Sequence, residues 1–206
     1  NCVGGNTGDI ACTITDIDGN TYNTIKIGSQ TWIKENLKVT HYLNGDEIPS
    51  AQDYTDDEWR YLTSGAYLDN NVSIYGRLYN WYTVDDSRGM CPADWHVPSL
   101  TEWTVLIDYL GGSSVAGGKM KETGTEHWQS PNGDATNESG FTALPGGQSV
   151  WWAVSFNNMG TDAYFWTAGT YTETQAEIIQ VVSPHGQISY SYNQNQYGYS
   201  VRCVAD

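Results

Sequence analysis

Apolar and polar positions alternate over short stretches along most of this chain, and helical spacing stands out in only two places. Asp16-Ile17-Asp18-Gly19-Asn20-Thr21-Tyr22 reads as a tight turn between strands. Ile25 and Ile27 then alternate with polar residues, and Thr31-Trp32-Ile33 continues as strand. Thr55-Asp56-Asp57-Glu58 is a capping box with acids in its first turn, which predicts a short helix through about Leu62. Ser99-Leu100-Thr101-Glu102 is a second capping box. Behind it Leu100, Trp103, Leu106, Ile107 and Leu110 recur at helical spacing, and Gly111 supplies a stop. From Thr142 onward the pattern changes to short strands and loops. Glu177–Val182 and Gln187–Asn193 are β-like runs separated by Ser183-Pro184-His185-Gly186, a hairpin signal, and Tyr199–Val204 reads as a final strand. With no repeat and no flexible linker, residues 16–206 are expected to form one α+β domain behind an N-terminal extension, residues 1–15.

Composition sharpens this picture through charge. The 206 residues carry 9 Lys+Arg against 24 Asp+Glu, a net charge of −15, yet only 16% of residues are charged. Such a chain repels phosphate backbones, which argues against nucleic-acid binding, and it disfavours anionic membrane surfaces. No stretch approaches the length of a membrane span. Asn1 opens the chain without a charged-then-apolar leader, so a processed product is expected.

Cysteine usage points to a compartment. Cys2, Cys12, Cys91 and Cys203 form no CxxC and have no His at zinc spacing. An even count in an acidic, Gly- and Tyr-rich chain suggests secretion and disulfides. Of three possible pairings, the simplest is a local Cys2–Cys12 loop with a long-range Cys91–Cys203 bridge.

The deficit of charge belongs to the C-terminal third. From Gly140 to Asp206 the charged residues are Asp162, Glu173, Glu177, Arg202 and Asp206, set among many Trp, Tyr, Asn and Ser. Tyr and Trp give contact area at low entropic cost, and amides and hydroxyls give adaptable hydrogen bonds, a mixture suited to recognition surfaces and to sugars. Phe141, Phe165, Trp166 and Tyr199 are read as core. Trp151, Trp152, Tyr171, Tyr190, Tyr192, Asn193, Asn195 and Tyr197 are the candidate ligand-binding residues, expected to share one exposed face. Adjacent Trp151 and Trp152 cannot both point inward from a strand.

Several motifs then resemble a known family. They include Asp18-Gly19-Asn20-Thr21-Tyr22, Gly28-Ser29-Gln30-Thr31-Trp32, Tyr75-Gly76-Arg77-Leu78-Tyr79-Asn80-Trp81, Cys91-Pro92-Ala93-Asp94-Trp95-His96-Val97-Pro98-Ser99, Phe141-Thr142-Ala143-Leu144-Pro145-Gly146-Gly147 and Ser200-Val201-Arg202-Cys203-Val204. In this order, over about residues 16–206, they look like the Fibrobacter succinogenes major paralogous domain family. The resemblance implies a C-type-lectin-like fold with two main helices, short antiparallel sheets and long irregular loops, related to formylglycine-generating enzyme and retroelement-diversified variable proteins. It also implies secreted or surface-anchored bacterial proteins, and it supports Cys91–Cys203, the family's motif cysteines. After Gly147 the family usually runs into an Arg and a Gly-rich Phe segment. Here Gln148-Ser149-Val150-Trp151-Trp152 stands instead, which points to a ligand particular to this protein.

Signals for catalysis are absent. There is no GxSxG, no phosphate loop and no HxxH, and Asp162 with Glu173 is only one arbitrary choice of glycosidase-like pair. Asp16/Asp18, Asp69-Asn70-Asn71, Asp85-Asp86 and Asn132/Asp134 are oxygen-rich loops that could hold a structural calcium, although each also suits a turn. The expectation is therefore a non-catalytic extracellular recognition module for a glycan, polysaccharide or protein. The alternatives are a fibre or adhesin subunit that self-assembles or packs on a neighbouring surface subunit, and a retroelement-diversified receptor.

Overall fold

The computed structural model describes residues 12–206. In chain order its elements are β1 (Thr13–Thr15), β2 (Thr21–Ile27), β3 (Gln30–Ile33), α1 (Asp56–Arg60), β4 (Tyr67–Asp69), α2 (Val72–Tyr75), β5 (Arg77–Tyr79), α3 (Trp81–Val84), β6 (Trp95–His96), α4 (Leu100–Tyr109), α5 (Ala116–Met120), β7 (Gln148–Ser149), β8 (Phe156–Asn157), β9 (Asp162–Thr172), β10 (Gln175–Val182), β11 (Ile188–Gln194) and β12 (Val204–Ala205). This mixture of helices and short antiparallel sheets is α+β.

Both capping boxes form as the sequence predicts. Thr55 and Ser99 each accept a hydrogen bond from the amide three residues on, and Glu58 and Glu102 reach back to the cap amides. Helix α4 buries Trp103, Leu106 and Ile107 against Trp32, Phe141 and Phe165. The predicted hairpin is β10–β11, antiparallel and in continuous register from Gln175↔Gln194 to Val181↔Ile188. The tight turn at residues 16–20 joins β1 to β2. The sheet thus begins inside the segment expected to be an extension, because Thr13–Thr15 pair with Thr21–Asn23.

Two sheets divide the interior. The five-stranded sheet has the order β1-β2-β3-β12-β6, so the C-terminal strand lies between β3 and β6. The three-stranded sheet has the order β11-β10-β9. Alternation along β9 and β10 sends Tyr164, Trp166, Ala176 and Ile178 into one core, and Ala163, Phe165, Ile179 and Val181 into the other, which lies against α4.

The predicted final strand is corrected. Only Val204–Ala205 forms ladder strand. Tyr199 and Ser200 make single bridges to Tyr79 and Phe165, because residues 199–203 thread between the two cores rather than along one edge. Cys203 is bonded to Cys91, 112 residues away in sequence. Cys12 is also disulfide-bonded, while Cys2 lies outside the described residues.

Arg202 occupies the seam between the cores and is 1% exposed. Its Nε donates to Asn36 Oδ1 (2.6 Å), and its terminal nitrogens donate to the carbonyls of Ile33, Phe141 and Thr142. The guanidinium also lies 4.4 Å from the centre of the Phe141 ring. Burial lowers its pKa to about 9, so it remains a cation at neutral pH. Arg202→Met should lower unfolding stability in denaturant by about 3 kcal/mol, since several buried oxygens lose their donor. An unchanged midpoint would refute that role.

A second polar junction ties β6, β12 and α4. His96 Nε2 meets Glu102 Oε1 at 2.7 Å, and its Nδ1 meets Asp206 Oδ1 at 2.6 Å. Burial works against a charge on this imidazole, but the bonds to Asp206 and Glu102 outweigh it and raise its pKa above 6.5. A raised folded-state pKa contributes stability that is fully present below pH 6.5 and is lost as pH rises through the folded value. The denaturation midpoint of wild type should therefore fall across that window relative to His96→Gln. Parallel pH profiles for the two proteins would count against the junction.

Candidate functional site

The loop that departs from the expected pattern, residues 148–157, is anchored on three sides. Gly147 enters it at φ +66, where a Cβ would run into Asn157 O, so only glycine fits. β7 pairs with β8, and Ser149 exchanges backbone bonds of 2.9 Å with Gly198 in both directions. Helix α1 then holds the turn. Trp59 Nε1 donates to Val150 O (3.0 Å), and Asp56 accepts from the Val154 amide (3.0 Å). Trp59 is fully buried, so the turn hangs from the third core cluster with Ala51, Ala66 and Leu68.

This anchoring presents a short series of aromatic rings. Trp151 and Trp152 meet edge to face at 5.6 Å, and Trp152 meets Tyr197 edge to face at 6.3 Å. Tyr197 stacks on Tyr199 at 5.5 Å, and Tyr199 stacks on Tyr164 and abuts Trp166 inside the core. The outer rings therefore continue a buried stack. Trp152 is 46% exposed, and Trp151 and Tyr197 are half-buried. The Arg60 guanidinium lies 5.7 Å from the Trp151 ring centre. Gln196 fixes the adjoining turn by donating to Leu62 O and to the Tyr82 hydroxyl. Neither indole N–H of Trp151 and Trp152 has a partner among the described residues, so both can bond a ligand.

Tyr164 and Tyr199 are protonated at any physiological pH. Burial raises both pKa values, that of Tyr164 to about 12. Their hydroxyls serve as network members. Asn193 Nδ2 donates to Tyr199 Oη (2.6 Å), which meets Gln148 Oε1 at 3.2 Å. Asn193 thus stands behind the Trp152–Tyr197 surface and braces it.

The candidate residues do not share one face. Because β11 alternates, Asn193 lies on the side of Trp166 and Ile178, whereas Tyr190 and Tyr192 lie on the α4 side. A register shift leaves Tyr171 unpaired opposite β10, and its ring stacks on Tyr192 at 3.8 Å with an 11° tilt. Tyr171, Tyr190 and Tyr192 therefore form a second exposed group across the sheet from Trp151, Trp152 and Tyr197. Asn195 belongs to neither. It is 1% exposed, with its amide donating to Thr174 O and its side chain to Glu173 O, so it is a buried brace of the chain crossing. Trp151 and Trp152 sit in a turn, not in a strand, so ring geometry rather than strand alternation separates them. Phe141, Phe165, Trp166 and Tyr199 are buried, as read from the sequence. Arg60, Gln196 and Trp59 escaped sequence reasoning. Only the capping box at Thr55 hinted that α1 had something to hold.

The oxygen-rich loops spend their carboxylates internally. Asp16 accepts from the amides of Asp18 and Asn20, from the Asn20 side chain and from the Tyr22 hydroxyl. Asp86 holds Arg88, Asp69 holds Arg77, and Asp134 accepts from the Gly186 amide. Among the described residues, no three His, Cys, Asp or Glu side chains are placed to share a metal ion. Asp162 opens β9 and Glu173 follows its other end; the β10 residues paired with those ends, Val182 and Gln175, are roughly 23 Å apart at the rise of a strand, so the two acids cannot face each other across a glycosidase cleft.

If α1 holds the aromatic turn, Trp59→Phe should cost about 1–2 kcal/mol, the penalty for leaving Val150 O without its donor. It should also speed limited proteolysis within residues 150–155. Cleavage at the wild-type rate would separate the turn from α1.

No curated protein and no solved structure matches the chain. The family model of the Fibrobacter succinogenes major domain matches residues 25–205, and the chain belongs to that family.

Proposed function

We propose that this protein is a non-catalytic, extracellular recognition module that binds a glycan through the Trp151–Trp152–Tyr197 surface. The observation that carries this reading is the continuity of that surface with the buried Tyr199–Tyr164–Trp166 stack. Rings held from beneath lose little freedom on binding, so more of the contact energy appears as affinity. The apolar face of a sugar ring can lie on Trp152 or Tyr197, while the free indole N–H groups, Gln196 and Arg60 supply hydrogen bonds to hydroxyls. The acids of α1 beside the turn, Asp56, Asp57 and Glu58, disfavour an anionic glycan and so favour a neutral one, and the Cys91–Cys203 disulfide is in keeping with an oxidising, extracellular setting.

The fold supports the same reading. The placement of β12 beside β3 brings the two ends of the described chain into one sheet, and long segments without helix or strand, residues 34–55 and 121–147, connect the elements. We read this as a C-type-lectin-like arrangement in a bacterial secreted or surface protein. Its ligand contact is made by aromatic side chains without a bridging calcium.

A panel of immobilised polysaccharides probed with wild type, Trp152→Ala and Tyr197→Ala tests the proposal. Wild type should bind at least one glycan, and each substitution should weaken binding by about 10-fold or more, the worth of a lost aromatic contact. Binding to none of the glycans would refute the ligand class. Equal binding by all three proteins would refute the surface.

A further inference from the structure

The outer edge of β11 is an unpaired strand whose hydrogen-bonding groups face away from the protein. In the three-stranded sheet β11 is terminal, paired with β10 alone. Its direction of pairing can be read residue by residue. The Ile188 amide donates to Ser113 O (2.7 Å), away from β10, whereas the Asn195 amide donates back to Thr174 O (2.9 Å). The register between these points has no shift. Strict alternation therefore turns the N–H and C=O of Ser189, Ser191 and Asn193 toward β10, and those of Tyr190 and Tyr192 outward. Among the described residues nothing bonds to those four outward groups.

Protein edges of this kind are usually blunted by charge, proline or a bulge. This one has none of them. Residues 187–199 contain no charged side chain and no proline, and Ser189 to Tyr192 are all exposed. Helix α4 packs against β9 and reaches the Tyr190 side chain through Thr104, and Ser113 caps the edge at Ile188, which leaves the outward backbone groups of Tyr190 and Tyr192 unbonded among the described residues.

We infer that β11 pairs with β11 of a second copy, antiparallel, about a two-fold axis at Ser191. The arrangement is self-complementary. Ser191 stands opposite Ser191 of the other copy, and each Tyr190 stands opposite a Tyr192 and exchanges both backbone bonds with it, as an antiparallel hydrogen-bonded pair requires. The three-stranded sheets of the two copies then become continuous. On the α4 side each Tyr190 ring comes beside the partner's Tyr192, which already stacks on Tyr171. Like net charge opposes a second copy elsewhere and directs one to this place. Each copy carries −15, so two copies approach most easily along a strip without charge, and added salt should strengthen the pair by screening the remainder. The contact is small, so the dimer forms at high concentration rather than as an obligate unit.

Sedimentation equilibrium of the full chain at rising concentration tests this, with Tyr192→Pro, Ser191→Glu and Ser191→Lys. Wild type should show a concentration-dependent dimer that strengthens with salt. Tyr192→Pro removes an outward amide and leaves the β10 ladder intact, and Ser191→Glu sets two carboxylates opposite each other. Each should weaken the dimer by about 10-fold or more. Mixing Ser191→Glu with Ser191→Lys should restore it as a heterodimer, a rescue that a misfolded variant cannot give. Trp152→Ala, on the other side of the sheet, should leave the dimer unchanged. A wild type that stays monomeric at every concentration and salt, or a dimer indifferent to the Ser191 and Tyr192 changes, would overturn the proposal.

Discussion

The buried guanidinium of Arg202 organises this molecule. Among the described residues Arg202 has no carboxylate at hydrogen-bonding distance. Its donors go to oxygen atoms from β3, from the turn after it and from the 141–142 segment. Those segments come from distant parts of the sequence, so satisfying one guanidinium fixes how residues 33–36 meet residues 141–142 and the C-terminal strip. The neighbouring Cys203 then locks the same strip to Cys91, and Val204 pairs with both Trp32 and His96. A buried charge is costly unless every donor is met. The geometry of residues 199–204 is therefore narrowly specified, which is why this strip follows the seam between two cores instead of joining one sheet along its length. Lys121 repeats the device on a smaller scale, donating to the carbonyls of Gly133, Val182 and His185.

The exposed rings inherit this rigidity. Tyr199 lies three residues before Arg202 and carries the stack that reaches Tyr197 and Trp152. The loop at 148–157 is bonded to the same strip through Gly198. A surface built this way differs from a floppy aromatic loop, because its shape is set by interior packing. The tyrosines of β11 stand on the other side of the sheet and take part in a different geometry, governed by the strand edge.

Much of this was readable in the sequence where local chemistry decides structure. The two capping boxes, the helical stripe of α4 and the β10–β11 hairpin depend on neighbours within a few residues, and they form where the pattern places them. The long strand Asp162–Thr172 is hidden in the sequence because Gly169 and the change from apolar to polar residues interrupt its pattern, while pairing with β10 carries it through. Helix α5 has two adjacent glycines, poor helix formers, and they are there because Gly117 and Gly118 lie against the backbone of residues 186–187 and 134. Asn195 looked like a surface amide because composition cannot distinguish an amide that bonds ligand from one that braces a chain crossing. The division of the candidate residues between two faces follows from a register and a bulge, both of which are tertiary facts.

Whether the Trp151–Trp152–Tyr197 surface is the ligand face is measured most directly by the indole N–H signals of the nine tryptophans. In a titration of isotopically labelled protein with an oligosaccharide drawn from a glycan that binds, the Trp151 and Trp152 signals should move progressively, while those of buried Trp32, Trp103 and Trp166 stay fixed. If the ligand binds and the Trp151 and Trp152 signals do not move, the recognition surface lies elsewhere and the account is contradicted.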